Sequence, residues 1–327
     1  MPRTSDIRIG ISGWRYGPWR GSFYPEDLVQ KRELEYASRM VNSIEINGSF
    51  YSLQRPSSYR LWYEQTPADF VFSVKGGRYI THMRKLKDVE SPLANFLASG
   101  VLRLDEKLGP ILWQFPPQMR FDEEKFARFF DLLPRTTADA AKIAERHDPW
   151  MKKRAWTQVE KDRPLRHAVE IRHESFKDER FVKLLRRHKI AFVFADTAGR
   201  WPYMEDITAD FIYARLHGDK EIYVSGYTDE ALDWWADRLR KWQHGAEPSD
   251  RSCVLDATAR KCKSRDIYVY FDNDVKVRAP FDAMALHARL TNRPTSQRNP
   301  TKLVPEPART SWPAVRRTTQ RRPRKAG

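Results

Sequence analysis

The chain has 327 residues, 40% of them hydrophobic, and a formal net charge of +16. This suffices for a sizeable core, in one large α/β barrel or in two ordinary domains. No run of about 18 apolar residues occurs and no hydrophobic signal segment opens the chain, which argues against a membrane or secreted protein, so we expect a cytoplasmic one. The two cysteines, Cys253 and Cys262, match no zinc or redox motif.

Eight short apolar runs predict β-strands, and a helical pattern follows each of them. The runs are Arg8–Ser12, Val41–Asn47, Phe70–Lys75, Pro110–Phe115, His167–His173, Ala191–Asp196, Phe211–His217 and Asp266–Asn273. The helical patterns are Lys31–Met40, Ser57–Thr66, Ser91–Leu104, Asp122–Leu133, Asp178–Lys189, a short segment near Trp201–Ile207, Thr228–Gln243 and Phe281–Leu290. Alternating strands and helices pair the strands in parallel, and eight units favour a closed barrel. We therefore predict an α/β fold, a TIM-like (β/α)8 barrel, over residues 7–290.

Two stretches fall outside this repeating scheme. Residues 1–6 are expected to form a flexible N-terminus. Residues 135–164 form an insertion before the fifth strand, with a helical pattern near Ala138–Arg146 and then a stretch rich in Lys and Arg. Because the insertion starts on the face opposite the carboxyl ends of the strands, we interpret it as structural or as a surface for a partner.

Residues 291–327 form a separate basic tail. From Asn292 onward the chain has ten Lys or Arg and one acidic residue, with recurrent proline and almost no apolar periodicity. Such a segment buries too little surface to offset its ordering entropy, so we predict a disordered basic C-terminal tail. Two roles stay open for it: an arm that neutralises phosphates of nucleic acid, or a solubilising extension.

The predicted strands carry polar side chains on one face, near their carboxyl ends. Alternate residues on the other face are apolar and are expected to meet the helices. The polar set is Ser12, Glu45, Asn47, Ser73, Lys75, Gln114, Glu170, Arg172, Arg215, His217 and Asp272. An unpaired buried charge costs several kcal/mol, so this polarity indicates either a functional site or a satisfied ion network that sets the barrel register.

A series of motifs in the same order resembles the YecE-like family, domain of unknown function 72. The motifs are Gly10–Trp14, Phe23–Pro25, Glu45–Asn47 with Phe50 and Tyr51, Lys75 with Thr81 and His82, Gln114–Pro117, Glu170–His173, Ala195–Thr197, Arg215–Gly218 and Asp272–Asp274. The resemblance covers about residues 7–290 and implies a TIM-like barrel, without an established reaction. This chain differs from the family in the last motif, where two consecutive asparagines are usual.

The carboxyl ends of the strands form the functional face of a TIM barrel. We predict Glu170 and His173 as a proton-transfer pair, with Asp196 as a further catalytic carboxylate. Lys75, Arg172 and Arg215 supply positive charges that suit a small anionic substrate. The remaining candidate substrate-binding residues are Trp14, Glu45, Asn47, Tyr51, His82, Gln114, His217 and Asn273.

Two local alternatives stay open. The histidines near strand ends, His82, His173 and His217, lie in sequence positions that allow a divalent metal or hydrogen-bonding and acid–base roles; no HxH or HxxxH spacing supports the metal, and we predict no cofactor. The aromatic residues of the first two loops, Trp14 and Tyr51 among them, either stack on a sugar or base or pack as a lid over the barrel.

Together these features predict an enzyme that applies general acid–base chemistry to a phosphate- or carboxylate-bearing substrate. Hydrolysis, isomerisation and elimination are not separated by the sequence, and phosphodiester cleavage in nucleic acid is one specific version. The alternative is a non-catalytic protein that binds nucleic acid or a metabolite.

Overall fold

The computed structural model describes residues 5–256, 258–259 and 262–291. Within them eight parallel strands pair in chain order, and the first also pairs with the last, which closes the barrel. The strands are β1 (Ile7–Ser12), β2 (Ser43–Ile46), β3 (Val71–Lys75), β4 (Leu108–Gln114), β5 (His167–Glu170), β6 (Ala191–Asp196), β7 (Phe211–Leu216) and β8 (Asp266–Phe271). The predicted TIM-like (β/α)8 barrel is confirmed. The predicted tail, apart from Thr291, lies outside the described residues.

Helices surround the barrel and connect its strands. They are α1 (Glu33–Met40), α2 (Gly48–Tyr51), α3 (Pro56–Gln65), α4 (Glu90–Ala98), α5 (Glu123–Leu132), α6 (Thr137–Ala144), α7 (Glu179–His188), α8 (Asp229–Gln243) and α9 (Ala279–Thr291). A π-helical turn, Tyr79–Met83, follows β3. Of the helices in the described ranges, none combines the length and apolar character that crossing a membrane requires.

The strands separate two apolar clusters, as their alternation predicts. The larger cluster lies between strands and helices and includes Ile9, Ile44 and Val269 with the buried stripe of α5. The smaller cluster fills the barrel interior with Leu112, Ala168, Ala191, Val193, Ala195, Phe211, Tyr213, Tyr268 and Tyr270. The interior is therefore closed by apolar and tyrosine side chains below the polar residues at the carboxyl ends of the strands.

Two of the predicted helices differ from the structure. No helix forms over Trp201–Ile207, and that prediction was wrong. Glu205 and Asp206 are buried there, and their carboxylates accept hydrogen bonds from backbone N–H groups of residues 252, 254 and 255, so the segment pairs with a distant loop instead. The helix predicted over Ser91–Leu104 ends at Ala98, because Gly100 has a φ of 113° and starts a new 3-10 turn.

The insertion reaches the loops at the carboxyl ends of the strands. Asp148 accepts hydrogen bonds from Ser91 (2.6 Å) and Asn95 (2.7 Å) of α4, and Trp150 is half exposed beside it. Asp148 and Trp150 line a groove of about 490 Å³ together with residues of the loops that follow β2 and β3. Although it begins at the opposite face, the insertion thus comes close to the candidate site.

Candidate functional site

An open cavity of about 820 Å³ lies at the carboxyl ends of the strands. Its lining comes from the segments after β1, β2, β3, β5, β7 and β8 and from the ends of β3 and β4. The lining residues are Tyr16, Asn47, Phe50, Tyr51, Lys75, Arg78, His82, Met83, Gln114, Arg172, Tyr223, Asp272 and Asp274. A cavity of this size accommodates a small metabolite.

Beneath the cavity, Arg215 is fully buried and binds three carboxylates. Its Nη2 lies 2.9 Å from Glu45 Oε1 and 2.9 Å from Asp272 Oδ2, and its Nη1 lies 2.7 Å from Glu170 Oε2. Each partner comes from a different strand or strand end, so one guanidinium ties together β2, β5, β7 and the end of β8. We call Arg215, Glu45, Glu170, Asp272 and His217 the ion network.

Hydrogen bonds from the barrel interior complete this network. The hydroxyl of Tyr213 donates to Glu45 Oε2 at 2.6 Å, and the hydroxyl of Ser12 donates to Glu45 Oε1 at 3.2 Å. The two donors come from different strands, β7 and β1. The buried carboxylate of Glu45 therefore has a partner on each oxygen, as a buried charge requires.

The ion network holds the carboxylates of Glu170 and Asp272 in their charged forms. Burial alone raises the pKa of Glu170, but the charges of Arg215 and Arg172 outweigh it and hold that pKa well below its usual range. Burial likewise raises the pKa of Asp272, but nearby positive charge, mainly that of Arg215, outweighs it and lowers that pKa. Permanently ionised carboxylates are good counter-ions and poor proton acceptors at neutral pH.

His217 is a neutral member of the network. Burial, followed by the charge of Arg215, lowers its pKa. Its Nε2 lies 3.3 Å from Arg215 Nη1, and because a guanidinium only donates, Nε2 must be the unprotonated nitrogen. The ring proton is thereby assigned to Nδ1, which lies 3.1 Å from Asp272 Oδ2.

Lys75 lies at the end of β3, where its side chain lines the cavity while being only 8% exposed. Among the described residues its ammonium has no ion-pair partner within 4 Å, and Nζ lies 4.4 Å from the centre of the Phe50 ring. Burial, followed by the charge of Arg215, lowers the pKa of Lys75 to about 8. This lysine therefore exchanges its proton much closer to neutral pH than an ordinary lysine does.

Backbone packing places Lys75 at this position. The hydroxyl of Ser49 in α2 donates to the carbonyl oxygen of Lys75 at 2.7 Å. A Cβ on the next residue, Gly76, would lie 2.4 Å from the Trp113 ring, so only glycine lets the chain pass this close to β4. The loop after β3 is thus anchored on both sides of the lysine.

Arg172 lies between the ion network and the cavity. Its Nε donates to Glu170 Oε1 at 2.9 Å, and its Nη2 donates to the Tyr223 hydroxyl at 3.3 Å. Its guanidinium carbon lies 3.8 Å from the centre of the Trp201 ring, in a cation–π contact. These contacts fix the side chain while leaving it on the cavity wall.

Asp272 and Asp274 both line the cavity, and their pKa values are shifted in opposite directions. Burial, followed by the charge of Asp272, raises the pKa of Asp274 well above its usual range and favours its neutral carboxylic acid. Oδ1 of Asp274 is buried without a hydrogen-bond partner. Tyr16 is its neighbour, and the Tyr16 hydroxyl donates to the carbonyl of Ser12. A charged and a neutral carboxyl group thus stand next to each other.

The remaining cavity residues are mostly neutral. Burial, followed by the charge of Lys75, lowers the pKa of His82 to about 4, so its imidazole is neutral at pH 7. Oδ1 of Asn47 is buried without a partner, and Gln114 is buried on the wall. Tyr51 is 65% exposed at the rim, where Arg78 lies over its ring at 5.5 Å.

The three predicted catalytic residues, Glu170, His173 and Asp196, do not form one cluster in the structure. His173 caps a short 3-10 turn, where its Nδ1 is engaged with Ser175, and no hydrogen bond or ion pair joins it to Glu170 within the described part of the chain. Asp196 accepts a hydrogen bond from Tyr227 at 3.0 Å, outside the ion network. Its pKa is raised by burial.

Two other predicted site residues, Trp14 and Asn273, are buried and make packing or hydrogen-bond contacts away from the cavity lining. Trp14 packs edge-on against Trp62, with ring centres 5.2 Å apart, in the core between strands and helices. Asn273 is buried and donates to Asp282 at 2.8 Å, which joins the loop after β8 to α9. Neither is among the residues that line the cavity.

Some cavity residues were missed by the sequence predictions. Asp274 has the same strand parity as Asp272, which is a signal that the alternation contained. Arg78 and Tyr223 lie in loops, where no periodicity points to the cavity. A metal site is not evident, since in residues 5–256, 258–259 and 262–291 no group of three or more His, Cys, Asp or Glu is arranged to hold an ion.

A closed (β/α)8 barrel with a charged cavity at the carboxyl ends of its strands defines a TIM-barrel protein with a candidate small-molecule site. The chain belongs to the DUF72 family, whose model, described as "Protein of unknown function DUF72", matches residues 8–308. This agrees with the resemblance carried by the motifs.

Curated relatives match over part of the chain. The UPF0759 protein YunF of Bacillus subtilis (strain 168) is 30% identical over 126 residues, which are 37% of this chain and 44% of YunF. The UPF0759 protein YecE of Escherichia coli (strain K12) is 29% identical over 123 residues, which are 33% of this chain and 43% of YecE. The chain thus matches less than half the length of these relatives.

Solved structures support the fold over most of the chain. A DUF72 family protein from Thermotoga maritima superposes with a TM-score of 0.65 at 24% identity, covering 87% of this chain and 99% of that one. A DUF72 family protein from Enterococcus faecalis gives a TM-score of 0.58 at 15% identity, covering 89% and 99%. At these identities the likeness establishes the barrel and nothing about a reaction.

Proposed function

We propose that the cavity is the active site of an enzyme that applies acid–base chemistry to a small substrate bearing a carboxylate or phosphate. The observation that carries this proposal is a pair of titratable groups on one cavity wall: Lys75, which has no ion-pair partner within 4 Å among the described residues, and Asp274, whose Oδ1 is buried without a hydrogen-bond partner. The pKa of Lys75 is lowered and that of Asp274 is raised. Perturbed groups of this kind concentrate at functional sites, because proton transfer needs a pKa near the working pH.

The proton-transfer roles are assigned to Lys75 and Asp274 in this proposal. Glu170, the acceptor expected from sequence, is held ionised by two guanidinium groups, and His173 is engaged with Ser175. We assign Glu170 instead to the support of the cationic wall. The neutral amine that Lys75 forms on losing its proton is the base, and the neutral carboxyl group of Asp274 is the acid, for the same substrate.

Anion binding is assigned to the cations of the wall. Arg172, Arg78 and Lys75 all line the cavity. Arg172 is held by Trp201 and Tyr223 and needs no rearrangement to receive a carboxylate or phosphate. Neutral His82 and the free Oδ1 of Asn47 add polar contacts for the rest of a substrate.

Binding is tested by thermal unfolding with inorganic phosphate and with malonate at constant ionic strength. A ligand at about 100 times its Kd raises the free energy of unfolding by about 2.7 kcal/mol, which is a measurable rise in Tm. We expect the rise in the wild type and in two surface controls, Lys142→Met and Arg128→Gln. It should be lost in Lys75→Met and Arg172→Gln.

Turnover is tested by incubating the protein with a mixture of anionic metabolites and following their consumption by mass spectrometry. Consumption by the wild type and by Lys142→Met, without consumption by Lys75→Met, supports an enzyme. Binding of anions without any consumption would instead favour a non-catalytic metabolite-binding protein.

A further inference from the structure

The side chain of Lys75 has the surroundings of a nucleophile as well as those of a base. It is almost fully buried yet reaches an open cavity, and among the described residues no carboxylate lies within 4 Å of its ammonium. A lysine that is removed from water and placed near another cation exposes a neutral amine, which is the form that attacks carbonyl carbon. Arg215 is that neighbouring cation.

Charged and titratable groups face Lys75 from several elements. Glu45 on β2, Glu170 on β5, Arg215 on β7 and Asp272 after β8 act on it electrostatically, and His82 lies in the loop after β3. The three carboxylates are bound to Arg215 at 2.9 Å or less. Their charge is therefore engaged elsewhere, so the lysine is left without a direct counter-ion.

We propose that Lys75 forms a Schiff base with a substrate that carries a ketone or aldehyde next to a carboxylate or phosphate. This rests on the proposed function and names its substrate class. The cavity supplies the three parts that the reaction needs: the amine of Lys75, an acid at Asp274, and cations at Arg172 and Arg78 for the anionic group.

The step balances with groups that the cavity contains. The neutral amine of Lys75 attacks the carbonyl carbon and forms a C–N bond, while the carbonyl π electrons move to oxygen, which takes the proton of Asp274. The nitrogen then returns a proton to the carboxylate of Asp274. A second protonation by Asp274 lets the hydroxyl leave as water with the C–O electrons, and the nitrogen lone pair forms the C=N bond. The products are an iminium on Lys75, ionised Asp274 and one water.

The decisive experiment traps the iminium by reduction. Wild-type protein is incubated with pyruvate or with dihydroxyacetone phosphate, each with sodium cyanoborohydride, and the adduct is measured by intact mass and located by peptide mapping. We expect one adduct per chain, at Lys75, with pyruvate, with dihydroxyacetone phosphate, or with both. Which of the two probes reacts distinguishes a carboxylate substrate from a phosphate substrate.

Matched controls isolate the lysine and the anionic group. Lys142→Met, on the exposed face of α6, should trap as the wild type does, whereas Lys75→Met should lose about tenfold or more of the adduct. Acetone, a ketone without an anionic group, should trap far less than pyruvate. Asp274→Asn should slow adduct formation by about a hundredfold or more, the lower end of general acid catalysis, while leaving the Tm rise with malonate in place.

The outcomes separate this inference from the proposed function. Absence of an adduct at Lys75 in the wild type, or equal labelling of surface lysines, overturns the Schiff base. If malonate and phosphate nevertheless raise the Tm of the wild type and of Lys142→Met, and not that of Lys75→Met, the anion-binding site stands without the covalent step. If no anion raises the Tm and no adduct forms, both proposals fail. Because the mapping is done on the wild type, the test does not depend on a variant that folds.

Discussion

The ion network and the cavity wall are neighbours in the barrel mouth, but they differ in whether their polar groups have direct partners. In the ion network each carboxylate lies within 3 Å of Arg215, and Glu45 has further donors in Tyr213 and Ser12. On the cavity wall, Lys75 has no direct counter-ion among the described residues, and Oδ1 of Asp274 has no partner. Under the proposed function, the paired charges set the geometry of the barrel mouth, whereas the cavity groups without a partner bind the ligand.

This difference separates the two interpretations that the sequence leaves open. A satisfied ion network and a functional site were alternatives for one set of polar residues, and the structure divides that set between two layers. Glu45, Glu170 and Arg215 form the satisfied ion network, while Lys75 and Gln114 line the cavity that we propose as the functional site. Substitutions in the ion network alone, or on the cavity wall alone, test whether the two layers have different roles.

The largest effect is expected for Arg215→Met. Removal of the guanidinium leaves Glu45, Glu170 and Asp272 close together without their shared partner, and breaking a buried ion pair costs about 3–5 kcal/mol. Urea unfolding should show this loss, while Arg128→Met on the surface of α5 should change stability little. A loss below about 1 kcal/mol for Arg215→Met would mean that the network does not hold the barrel mouth together.

The two neighbouring aspartates give an intermediate and sharper comparison. Asp272→Asn removes a charge bound to Arg215 and should cost about 1–3 kcal/mol at pH 7. Asp274→Asn replaces a carboxyl group that already favours its neutral form, so stability should change by less than about 0.5 kcal/mol or increase. Both are measured by urea unfolding, and equal losses would contradict the assignment of the two residues to different layers.

The same pair predicts a pH dependence. The pKa of Asp274 is raised in the folded state, so the folded protein holds a proton that the unfolded chain releases. Its contribution to stability is present below the ordinary aspartate pKa of about 3.9 and is lost as the pH rises through the folded value. Asp274→Asn should remove this loss. The free energy of unfolding of the variant should therefore rise relative to that of the wild type as the pH increases. Parallel pH profiles would count against the neutral carboxyl group.

Lys75→Met should affect stability less and ligand binding more. Since the pKa of Lys75 is lowered to about 8, the unfolded chain binds the proton more tightly, and wild-type stability should rise with pH between about 8 and the ordinary value of about 10.4. The variant should lack this rise and be as stable as the wild type, or about 1 kcal/mol more stable, at pH 7. Thermal unfolding from pH 7 to 10 tests this, and a large loss of stability at pH 7 would place Lys75 in the ion network.

The smallest effect is expected from removal of residues 292–327. If this basic tail is disordered, as its composition predicts, truncation after Thr291 should leave the Tm within about 1 °C of the full chain. Any binding of nucleic acid through the tail should then lose much of its salt dependence. Unfolding of the truncated barrel would show that the tail contributes to the fold.

Several features of the molecule follow from the sequence alone. Strand alternation separates Ile9, Ile44 and Val269 from the polar residues, because a strand places successive side chains on opposite faces. Eight strand–helix units predict the closed barrel, since parallel pairing through helices allows few other arrangements. Four of the predicted site residues, Lys75, Asn47, Gln114 and Arg172, accordingly line a cavity at the carboxyl ends of the strands.

Only the tertiary structure decides which of these polar residues pair with one another. Arg215 and Glu45 are far apart in sequence, and nothing local predicts that one guanidinium binds three carboxylates from different strands. The same long-range contacts leave Lys75 without a direct ion-pair partner among the described residues. They also lower the pKa of Asp272, while the pKa of Asp274 is raised. His173 instead forms a local hydrogen bond with Ser175. Periodicity reports the face on which a side chain lies, whereas its charge state depends on neighbours that only the closed barrel brings within reach.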